Sequence, residues 1–431
     1  MSVENLISDL GPYPGASGYA VAEVLDAADV LAPYRDRFVN TDPDLVYLDG
    51  NSLGRLPQRA IDIADDTVRR QWGDRLIRSW NEGWWELQLE LGDRLAPILG
   101  ARNGEVIISD STSVNVFKLA AAAVTARPGR TKIVTDDLNF PTDVYVLEGV
   151  ARLFDLELQI VGSDGVSGPI GALGEVIDET TALVALSHTV FKSGYTYDLG
   201  EITTLAHEEG ALVLWDASHS VGVVPIDFNG ANADLAVGCT YKYLNGGPGS
   251  PAFIYVREDL QDVLENPITA WWGHADPFGF GLEFEPISGI RRFHTGTMPT
   301  LSLAAAEPGI DDVIEAGIGP IRDKSVALSE YLIEQFEEHL EPLGFGLASP
   351  RDPANRGSHV SLSHQEAWPI TRAIIERAKV LPDFRTPDNV RLGLSPLYTT
   401  FVEVHTGIQR IKSVVEEGVH HDFRDVTLTV T

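Results

Sequence analysis

The sequence predicts an α/β protein with a mostly parallel sheet in a large domain and a second, smaller domain. Two observations support this fold class. From about residue 105, short β-branched runs alternate with longer amphipathic or alanine-rich segments, which is typical of βαβ units with helices on both faces of a sheet. The chain has 431 residues and is 44% hydrophobic, which is enough to bury a core in about two or three structural units.

The predicted strands of the large domain can be assigned in chain order. The runs are EVIIS, TKIVT, LELQIVG, TALVALS, ALVLW, DLAVG and PAFIYV, with turns predicted at RPGRTK and GSDGVSGP. Beyond about residue 300, LSLAAAEPGIDDVIEAGI and IRDKSVALSEYLIEQFEEHL predict helices, and the rest mixes strand and helix patterns. We therefore expect a large domain over residues 46–300 and a smaller α/β domain over residues 301–431.

The first 45 residues are rich in loop-forming residues, and one short helix is predicted around SGYAVAEVLDAADV. This segment could pack on either domain, and we expect it on the smaller one. Its start, MSVENLISDLGPYPG, lacks the basic and apolar regions of a signal peptide, and no run in the chain reaches about 18 apolar residues. We therefore expect a soluble, cytoplasmic protein.

Charge and cysteine content argue against several classes of function. The formal net charge of −31 would repel phosphate backbones and anionic lipids, which disfavours binding to nucleic acids and membrane surfaces. Seven lysines against 25 arginines in so acidic a chain suggest adaptation to high salt. Cys239 is the only cysteine, so the chain has no intramolecular disulfide and no thiolate cluster. His420 and His421 could bind a metal, but such a pair is more often solvated, and we expect no metal site.

Candidate catalytic residues follow two of the predicted strands. In an open α/β sheet, ligands bind beyond the carboxyl ends of the strands. The run ALVLW is followed by Asp216, with His219 three residues later, and DLAVG leads into CTYKYLNGGPG, which contains Lys242. Asp216 alone could cap a helix, and a lysine beside glycines is often a solvated surface charge. Their positions after successive strands favour a shared site instead.

A lysine and an aspartate in this arrangement suit pyridoxal phosphate. The amine forms a Schiff base with the aldehyde, and the carboxylate keeps the pyridine nitrogen protonated. Thr112 and Ser113, where a strand gives way to an alanine-rich helix, offer hydroxyls and free amides for the phosphate, although ordinary helix caps have the same composition. Phe140 lies on the turn after TKIVT and offers a face for the ring, with Asp143 behind it. Neither a P-loop nor a glycine-rich dinucleotide motif is present.

Taken together, these motifs resemble the kynureninases, pyridoxal-phosphate enzymes of the aspartate-aminotransferase fold group. The resemblance runs in order from about residue 45 to residue 405 and rests on YLDGNSLGRLP, STSVNVFK, NFPTDVY, DASHSVG, YKYLNGGPGSPAF, WWGH and RLGLSPLYTTF. It implies fold type I, in which a mostly parallel seven-stranded sheet forms the large domain. It also implies hydrolysis of L-kynurenine, and of 3-hydroxy-L-kynurenine, to anthranilate or 3-hydroxyanthranilate and L-alanine.

The resemblance implies roles for individual residues. Lys242 matches the Schiff-base lysine, which also moves the α-proton, and Asp216 matches the partner of the pyridinium nitrogen. Tyr241 matches a phosphate contact that acts as an acid or base. Arg391 matches the arginine that binds the substrate carboxylate, a bidentate role that suits guanidinium better than ammonium. The other implied cofactor contacts are Thr112, Ser113, Phe140, Asp143, Ser187, His219, Trp271 and Thr297, and the other implied substrate contacts are Ser52 and Trp271.

Two of these residues imply an oligomer. Trp271 and Thr297 match positions that the neighbouring subunit supplies in the family, which implies a homodimer with active sites at its interface. Thr297 stands where animal enzymes have asparagine, and His188 and Thr189 also depart from the family pattern, which bears on substrate preference. Taken alone, Tyr241 could be a packed aromatic at a strand end, and Trp271 could be a core tryptophan.

Three other functions remain open at this point. A cysteine desulfurase or selenocysteine lyase needs a mobile cysteine, whereas Cys239 is predicted to be held at a strand end. An epimerase or aminotransferase has no need of the tryptophan-rich segments 80–85 and 271–272, which offer flat walls for an aromatic substrate. A sensor or scaffold that only keeps the fold would not need the lysine, the aspartate and the arginine together.

Overall fold

A computed structural model of the protein describes residues 18–427. The first 17 residues of the predicted N-terminal segment lie outside this range. The predicted fold class is confirmed, because a mostly parallel seven-stranded sheet carries helices on its faces and a smaller antiparallel sheet follows it in the chain.

The structure has thirteen strands within residues 18–427, and the seven strands of the central sheet coincide with the apolar runs that the sequence predicts as strands. In chain order the strands are β1 (Val46–Tyr47), β2 (Val106–Ile108), β3 (Lys132–Asp136), β4 (Glu157–Val161), β5 (Thr181–Ser187), β6 (Leu212–Asp216), β7 (Leu235–Gly238), β8 (Phe253–Val256), β9 (Gly346–Leu347), β10 (His359–Ser363), β11 (Val380–Leu381), β12 (Asp383–Arg385) and β13 (Asn389–Gly393). The central sheet has the order β2-β8-β7-β6-β5-β3-β4. Strand β8 is antiparallel to both of its neighbours, and the other pairs are parallel.

Both faces of the central sheet are buried, which explains why its inner strands are continuous apolar runs. Successive side chains of a strand point to opposite faces. In β6, Leu212 and Leu214 therefore join the core on one face, while Val213 and Trp215 join the core on the other. Because both faces are filled, the free space for a ligand lies at the strand ends.

Recognisable sequence signals mark the starts of several helices. They are α1 (Gly18–Ala27), α2 (Ala32–Arg35), α3 (Gln58–Asp66), α4 (Leu87–Leu95), α5 (Thr112–Thr125), α6 (Pro141–Phe154), α7 (Ile170–Val176), α8 (Leu199–Glu208), α9 (Glu258–Gln261), α10 (Thr300–Ala316), α11 (Ile318–His339), α12 (Ala367–Ala378) and α13 (Phe401–Glu416), and a π-helical segment, Thr67–Arg75, follows α3. Ser111 caps α5, Pro141 is the first residue of α6, and Thr400 with Glu403 forms a capping box on α13.

The smaller sheet has its own core. Its order is β12-β13-β10-β9, all antiparallel, and β1 pairs with β11 in parallel. The N-terminal helices contact this part of the chain, because Asp26 accepts the backbone N–H of Phe401 at 2.8 Å and Arg35 pairs with Glu403 at 2.7 Å. Among residues 18–427, no helix combines the length and the apolar composition that a membrane span requires.

The turn that carries Lys242 follows β7 and touches two distant parts of the chain. Gly54 donates its N–H to the Tyr241 carbonyl at 2.8 Å, and a Cβ at Gly54 would overlap the Lys242 carbonyl. From the other side, a Cβ at Gly309 of α10 would overlap the Leu244 carbonyl. Glycine is therefore required at both positions by close backbone approach.

We expect Gly309→Ala to destabilise the protein by about 2 kcal/mol or more, because the added methyl group overlaps backbone atoms of the Lys242 turn. Gly319→Ala is the matched control. Gly319 lies exposed in the first turn of α11, and its Cβ would meet nothing within 4 Å. Alanine there should stabilise the helix by about 0.5–1 kcal/mol. Urea unfolding measures both effects, and a Gly309→Ala protein as stable as the wild type would contradict the close approach.

Candidate active site

A cavity of about 300 Å³ opens at the carboxyl ends of the central strands. It extends to β12 and β13 of the smaller sheet, the position expected for a ligand site in an open α/β fold. The residues that line it are Asn51, Ser52, Thr112, Ser113, Phe140, Thr142, Asp143, Asp216, Ser218, His219, Tyr241, Lys242, Arg385 and Arg391. The structure therefore brings most of the predicted site residues together.

Lys242 lines this cavity from the turn after β7. Its Nζ lies 3.2 Å from Nε2 and 3.4 Å from Nδ1 of His219. The ring centres of Phe140 and Tyr241 lie 6.0 Å and 5.9 Å from the same nitrogen. Burial, together with the charge of Lys242, lowers the pKa of His219 well below its ordinary value, so the imidazole is neutral. The amine of Lys242 therefore faces a neutral imidazole and two aromatic rings.

Two aspartates lie side by side at the base of the cavity. Asp216 ends β6, and its Oδ1 accepts the Ser218 N–H at 2.8 Å. Asp143, in the first turn of α6, is buried next to it, and within residues 18–427 its Oδ2 receives no hydrogen bond. Burial and the charge of Asp216 raise the pKa of Asp143 well above its ordinary value. Burial beside Asp216 thus favours the protonated form of Asp143.

The start of α5 forms the anion-binding part of the site. Ser111 caps the helix, and Thr112 and Ser113 line the cavity in its first turn, where free backbone amides and the helix dipole favour a phosphate. An ion pair holds this helix start in place, because the fully buried Lys118 donates to the partly exposed Asp110 at 2.7 Å. The predicted phosphate pair is therefore held on a well-supported helix end.

Tyr241 lies beside Lys242 and also lines the cavity. The nearby Cys239 and burial raise the pKa of Tyr241 above its ordinary value. The phenol therefore stays protonated in the physiological range, and it can donate a proton or a hydrogen bond to a group in the cavity. Cys239 itself is buried at the end of β7, and burial raises the pKa of its thiol.

Arg391 is fully buried on β13, and protein groups already occupy much of its guanidinium. Nε donates to Asp383 Oδ1 at 2.9 Å, and Nη2 donates to the other oxygen of Asp383 and, at 2.8 Å, to Ser52 Oγ. Nη1 donates to the Phe191 carbonyl. The pairing has a simple cause, since Asp383 and Arg391 are directly opposite each other on the antiparallel strands β12 and β13.

A second aspartate faces Asp383 beside this arginine. Burial opposes ionisation of Asp383, but Arg391 and Arg385 lower the pKa of Asp383 below its ordinary value. Burial and the charge of Asp383 raise the pKa of Asp49 to about 7. Asp383 is therefore the charged member of this pair, and Asp49 gains or loses its proton near neutral pH.

Three predicted site residues do not line the cavity. Ser187 is buried at the end of β5, where its backbone N–H donates to Asn139 Oδ1. Trp271 is 41% exposed, and its ring lies 4.9 Å from that of Trp272, so it is not a core tryptophan. Thr297 is exposed. The last two lie on the surface of this chain, outside its own cavity.

The tryptophan-rich segments also lie apart from the cavity of this chain. The ring of Trp85 stacks on that of Trp272 at 4.6 Å, and the ring of Trp80 lies 5.3 Å from Trp84. These rings form an aromatic cluster that is continuous with the exposed Trp271. They do not line the cavity.

Four lining residues were not singled out from the sequence. Asn51, Thr142 and Ser218 each stand next to a residue that was predicted, so proximity in the motif was the available signal. Arg385 lies two residues after Asp383 on β12 and therefore points to the same face of the strand. The available signal for Arg385 was its spacing in the sequence, because Asp383 and Arg385 precede Arg391 across a hairpin.

The C-terminal histidine pair lies far from these residues in the chain and contacts one glutamate. His420 Nε2 lies 3.3 Å and His421 Nε2 lies 3.9 Å from Glu366 Oε2. Arg424 pairs with the other oxygen of Glu366 and is the main cause that lowers the pKa of Glu366 to about 2. An arginine thus already balances the charge of the carboxylate in this cluster.

Comparison with known proteins identifies the relatives of this chain. A family model described as the kynureninase C-terminal domain matches residues 321–411. The kynureninase of Pseudomonas fluorescens is 44% identical over 399 residues, which cover 91% of this chain and 94% of that protein. The kynureninase of Burkholderia pseudomallei (strain K96243) is 41% identical over 400 residues, which cover 92% of this chain and 95% of that protein.

Solved structures of lower identity share the fold. A cysteine desulfurase from Thermococcus onnurineus gives a TM-score of 0.74 at 20% identity and covers 87% of this chain and 95% of its own. The cysteine desulfurase CsdA from Escherichia coli gives 0.74 at 16% identity, over 90% and 98% of the two chains. A C-DES variant with glycine covalently linked to its PLP cofactor gives 0.74 at 17% identity, over 88% and 98%. At these identities the likeness concerns the fold alone.

We expect Asp49→Asn to raise the melting temperature more at about pH 8 than at about pH 5. The pKa of Asp49 is about 7 in the folded protein. An unfolded aspartate titrates at about 3.9, so the stability that protonated Asp49 contributes at low pH is lost as the pH rises through 7. Asparagine keeps the neutral form at every pH, so the difference from the wild type should grow with pH.

The control for this prediction is Asp42→Asn. Asp42 is partly exposed and pairs with Lys379 at 3.0 Å, which lowers the pKa of Asp42. Ionised Asp42 contributes stability with the opposite pH dependence. This stability is present above the pKa of Asp42 in the unfolded chain and is lost as the pH falls through its lower pKa in the folded protein. Thermal unfolding across the pH range measures both variants. An Asp49→Asn effect that stays constant with pH would show that Asp49 does not titrate near neutrality.

Proposed function

The chain belongs to the kynureninase family, and on that premise we propose that it hydrolyses L-kynurenine to anthranilate and L-alanine with pyridoxal phosphate as cofactor. The observation that carries the proposal is the single cavity in which Lys242, the Asp143–Asp216 pair and the start of α5 come together. The same site accepts 3-hydroxy-L-kynurenine in this proposal, since that substrate differs by one hydroxyl group.

The donor set of the cavity fits pyridoxal phosphate. Thr112 and Ser113 would hold the phosphate at the helix N-terminus, and Phe140 would offer an aromatic face to the ring. Asp216 would accept a hydrogen bond from the pyridinium N–H, and the raised pKa of Asp143 favours the neutral form of the neighbouring carboxyl. When bound, the cofactor supplies an electron sink for the charge left at the substrate α-carbon.

Lys242 has two tasks in the reaction that we propose. Its ε-amine would hold the cofactor through the aldehyde, and in its free form the same amine would remove the substrate α-proton. His219 supports this second task, because it is neutral and lies 3.2 Å from Nζ. It therefore places no second positive charge beside the ammonium that forms when Lys242 takes up the proton. The α-proton therefore moves to an amine that is held in place.

The bond-breaking step requires water and a proton donor. Water adds to the γ-carbonyl carbon of the substrate, the Cβ–Cγ bond breaks, and anthranilate leaves while the remaining carbon fragment takes up a proton to become L-alanine. Tyr241 is the proposed donor to the γ-carbonyl oxygen, because its raised pKa keeps the phenol protonated. Arg391 and Ser52 bind the α-carboxylate at the far end of the cavity.

A desulfurase activity is the main alternative, because solved structures of that name share the fold. Such chemistry needs a thiolate on a mobile segment that reaches the substrate sulfur. The only cysteine of this chain, Cys239, is buried at the end of a central strand, and burial raises the pKa of its thiol. The position of Cys239 therefore favours the kynureninase reaction.

We further propose that the active unit is a homodimer in which Trp271 and Thr297 reach the cavity of the neighbouring subunit. Both residues are exposed on this chain and lie outside its own cavity. A mostly apolar groove near Thr297 is lined by Trp72, Trp84, Pro299, Thr300, Leu301 and Ser302. Exposed apolar side chains such as Leu301 gain stability when a second copy covers them.

The direct test of the reaction is turnover of L-kynurenine and 3-hydroxy-L-kynurenine by the purified holoenzyme, followed through anthranilate fluorescence. Lys242→Ala should lose both the visible absorption band of bound pyridoxal phosphate and all turnover. Lys412→Ala, a partly exposed lysine on α13, is the control and should keep both. A wild-type protein that holds the cofactor but releases no anthranilate would show that the proposed function is wrong.

The same assay at low and high salt tests the proposed adaptation to salt. The net charge of −31 should make activity rise with salt, because screening reduces repulsion between acidic side chains. Activity that is full at low salt and falls as salt increases would contradict this adaptation.

Leu301→Glu should convert the dimer to a monomer and abolish turnover, because it places a charge in the apolar groove. The control is Leu153→Glu, an exposed leucine on α6, which should remain dimeric and active. Sedimentation measures the mass, and mixing Leu301→Glu with excess wild-type protein tests recovery of the dimer. A Leu301→Glu protein that stays dimeric and fully active would place the interface elsewhere.

A further inference from the structure

The far end of the cavity contains two arginines, although the roles described so far use only one. Arg385 and Arg391, here called the arginine pair, both line the cavity and both bind the same carboxylate, Asp383. Strand geometry sets the arrangement. Arg391 is directly opposite Asp383 across the hairpin, and Arg385 follows Asp383 by two residues on the same face of β12.

The first step concerns what remains free on Arg391. A carboxylate bound by an arginine in bidentate fashion normally uses two neighbouring N–H groups. In Arg391 the Nε and Nη2 edge is taken by Asp383, and Nη2 also donates to Ser52 at 2.8 Å. Nη1 donates to the Phe191 carbonyl. A substrate carboxylate therefore cannot bind the Nε–Nη2 edge of Arg391 in bidentate fashion unless Asp383 leaves that edge.

The second step concerns Arg385, which has donors to spare. Its Nη2 donates to Asp383 at 2.7 Å and reaches Ser52 Oγ at 3.5 Å. Its Nε is buried and, within residues 18–427, has no hydrogen-bond partner. A buried N–H without an acceptor is costly, and an incoming carboxylate oxygen would satisfy it.

The third step is the balance of charge. Asp383 offsets one of the two guanidinium charges, and the raised pKa of Asp49 keeps that carboxyl largely protonated below about pH 7. The arginine pair then carries one uncompensated positive charge at the wall of the cavity. A single monoanion, such as the α-carboxylate of an amino acid, would balance this charge in a buried site, where an uncompensated charge is unfavourable.

We propose that Arg385 is a second binding residue for the α-carboxylate of the amino-acid substrate, which the arginine pair shares while Asp383 holds both guanidinium groups in position. The inference rests on the proposed function for the identity of the substrate. The carboxylate site itself would serve any α-amino acid that enters this cavity.

The test uses the holoenzyme and two small probes, L-alanine and L-alaninamide, which differ in the carboxylate. Calorimetry should show that Arg385→Gln weakens L-alanine binding about 10-fold or more, and that Arg385→Lys, which keeps the charge, weakens it less. L-Alaninamide binding should be the same in the wild type and in Arg385→Gln, because this probe has no anion for Arg385 to bind. For L-kynurenine, KM should rise in the variants while kcat changes by less than about threefold.

Arg410→Gln is the control, because Arg410 pairs with Asp44 outside the cavity and should leave all of these values unchanged. The inference is overturned if Arg385→Gln binds L-alanine as the wild type does, or if it loses both probes to the same extent. Failure of the proposed function has a different result. In that case the wild type releases no anthranilate, and yet L-alanine binding still depends on Arg385.

Discussion

The site depends on one constraint, the close backbone contact between the Lys242 turn and two remote glycines. Gly54 precedes the central sheet in the chain, and Gly309 lies in a helix that follows it. Both let a backbone approach the turn more closely than any side chain would allow. Lys242 is therefore positioned by main-chain contacts. Within residues 18–427 its amine contacts His219 and forms no ion pair with a carboxylate.

The same buried environment explains the behaviour of the charged groups. The site contains two pairs of aspartates, Asp143 with Asp216 and Asp49 with Asp383. In each pair burial and the neighbouring negative charge raise the pKa of one member, which then keeps its proton more readily. One pair lies near the start of α6, and the other lies beside the arginine pair.

Much of the fold and part of the site could be predicted from the sequence because they depend on local patterns. Continuous apolar runs identified the central strands, and residues directly after the runs, such as Asp216, necessarily lie at the shared carboxyl edge. Arg385 was missed because its importance arises from a contact across a hairpin and from a cavity that residues of both sheets line. The exposed Trp271 marks another limit, since it lies outside the cavity of its own chain and its proposed role needs a second chain. No pattern in the sequence gives the pKa of Asp49, which depends on burial and on Asp383.

The contact between Gly309 and the Lys242 turn also affects the order of events during synthesis. The ribosome completes the central sheet before it makes α10, and both arginines of the cavity come later still. A nascent chain that ends before residue 309 has the lysine but lacks the backbone that presses on its turn. The packing that surrounds the Lys242 turn is therefore completed only by residues from the last third of the chain.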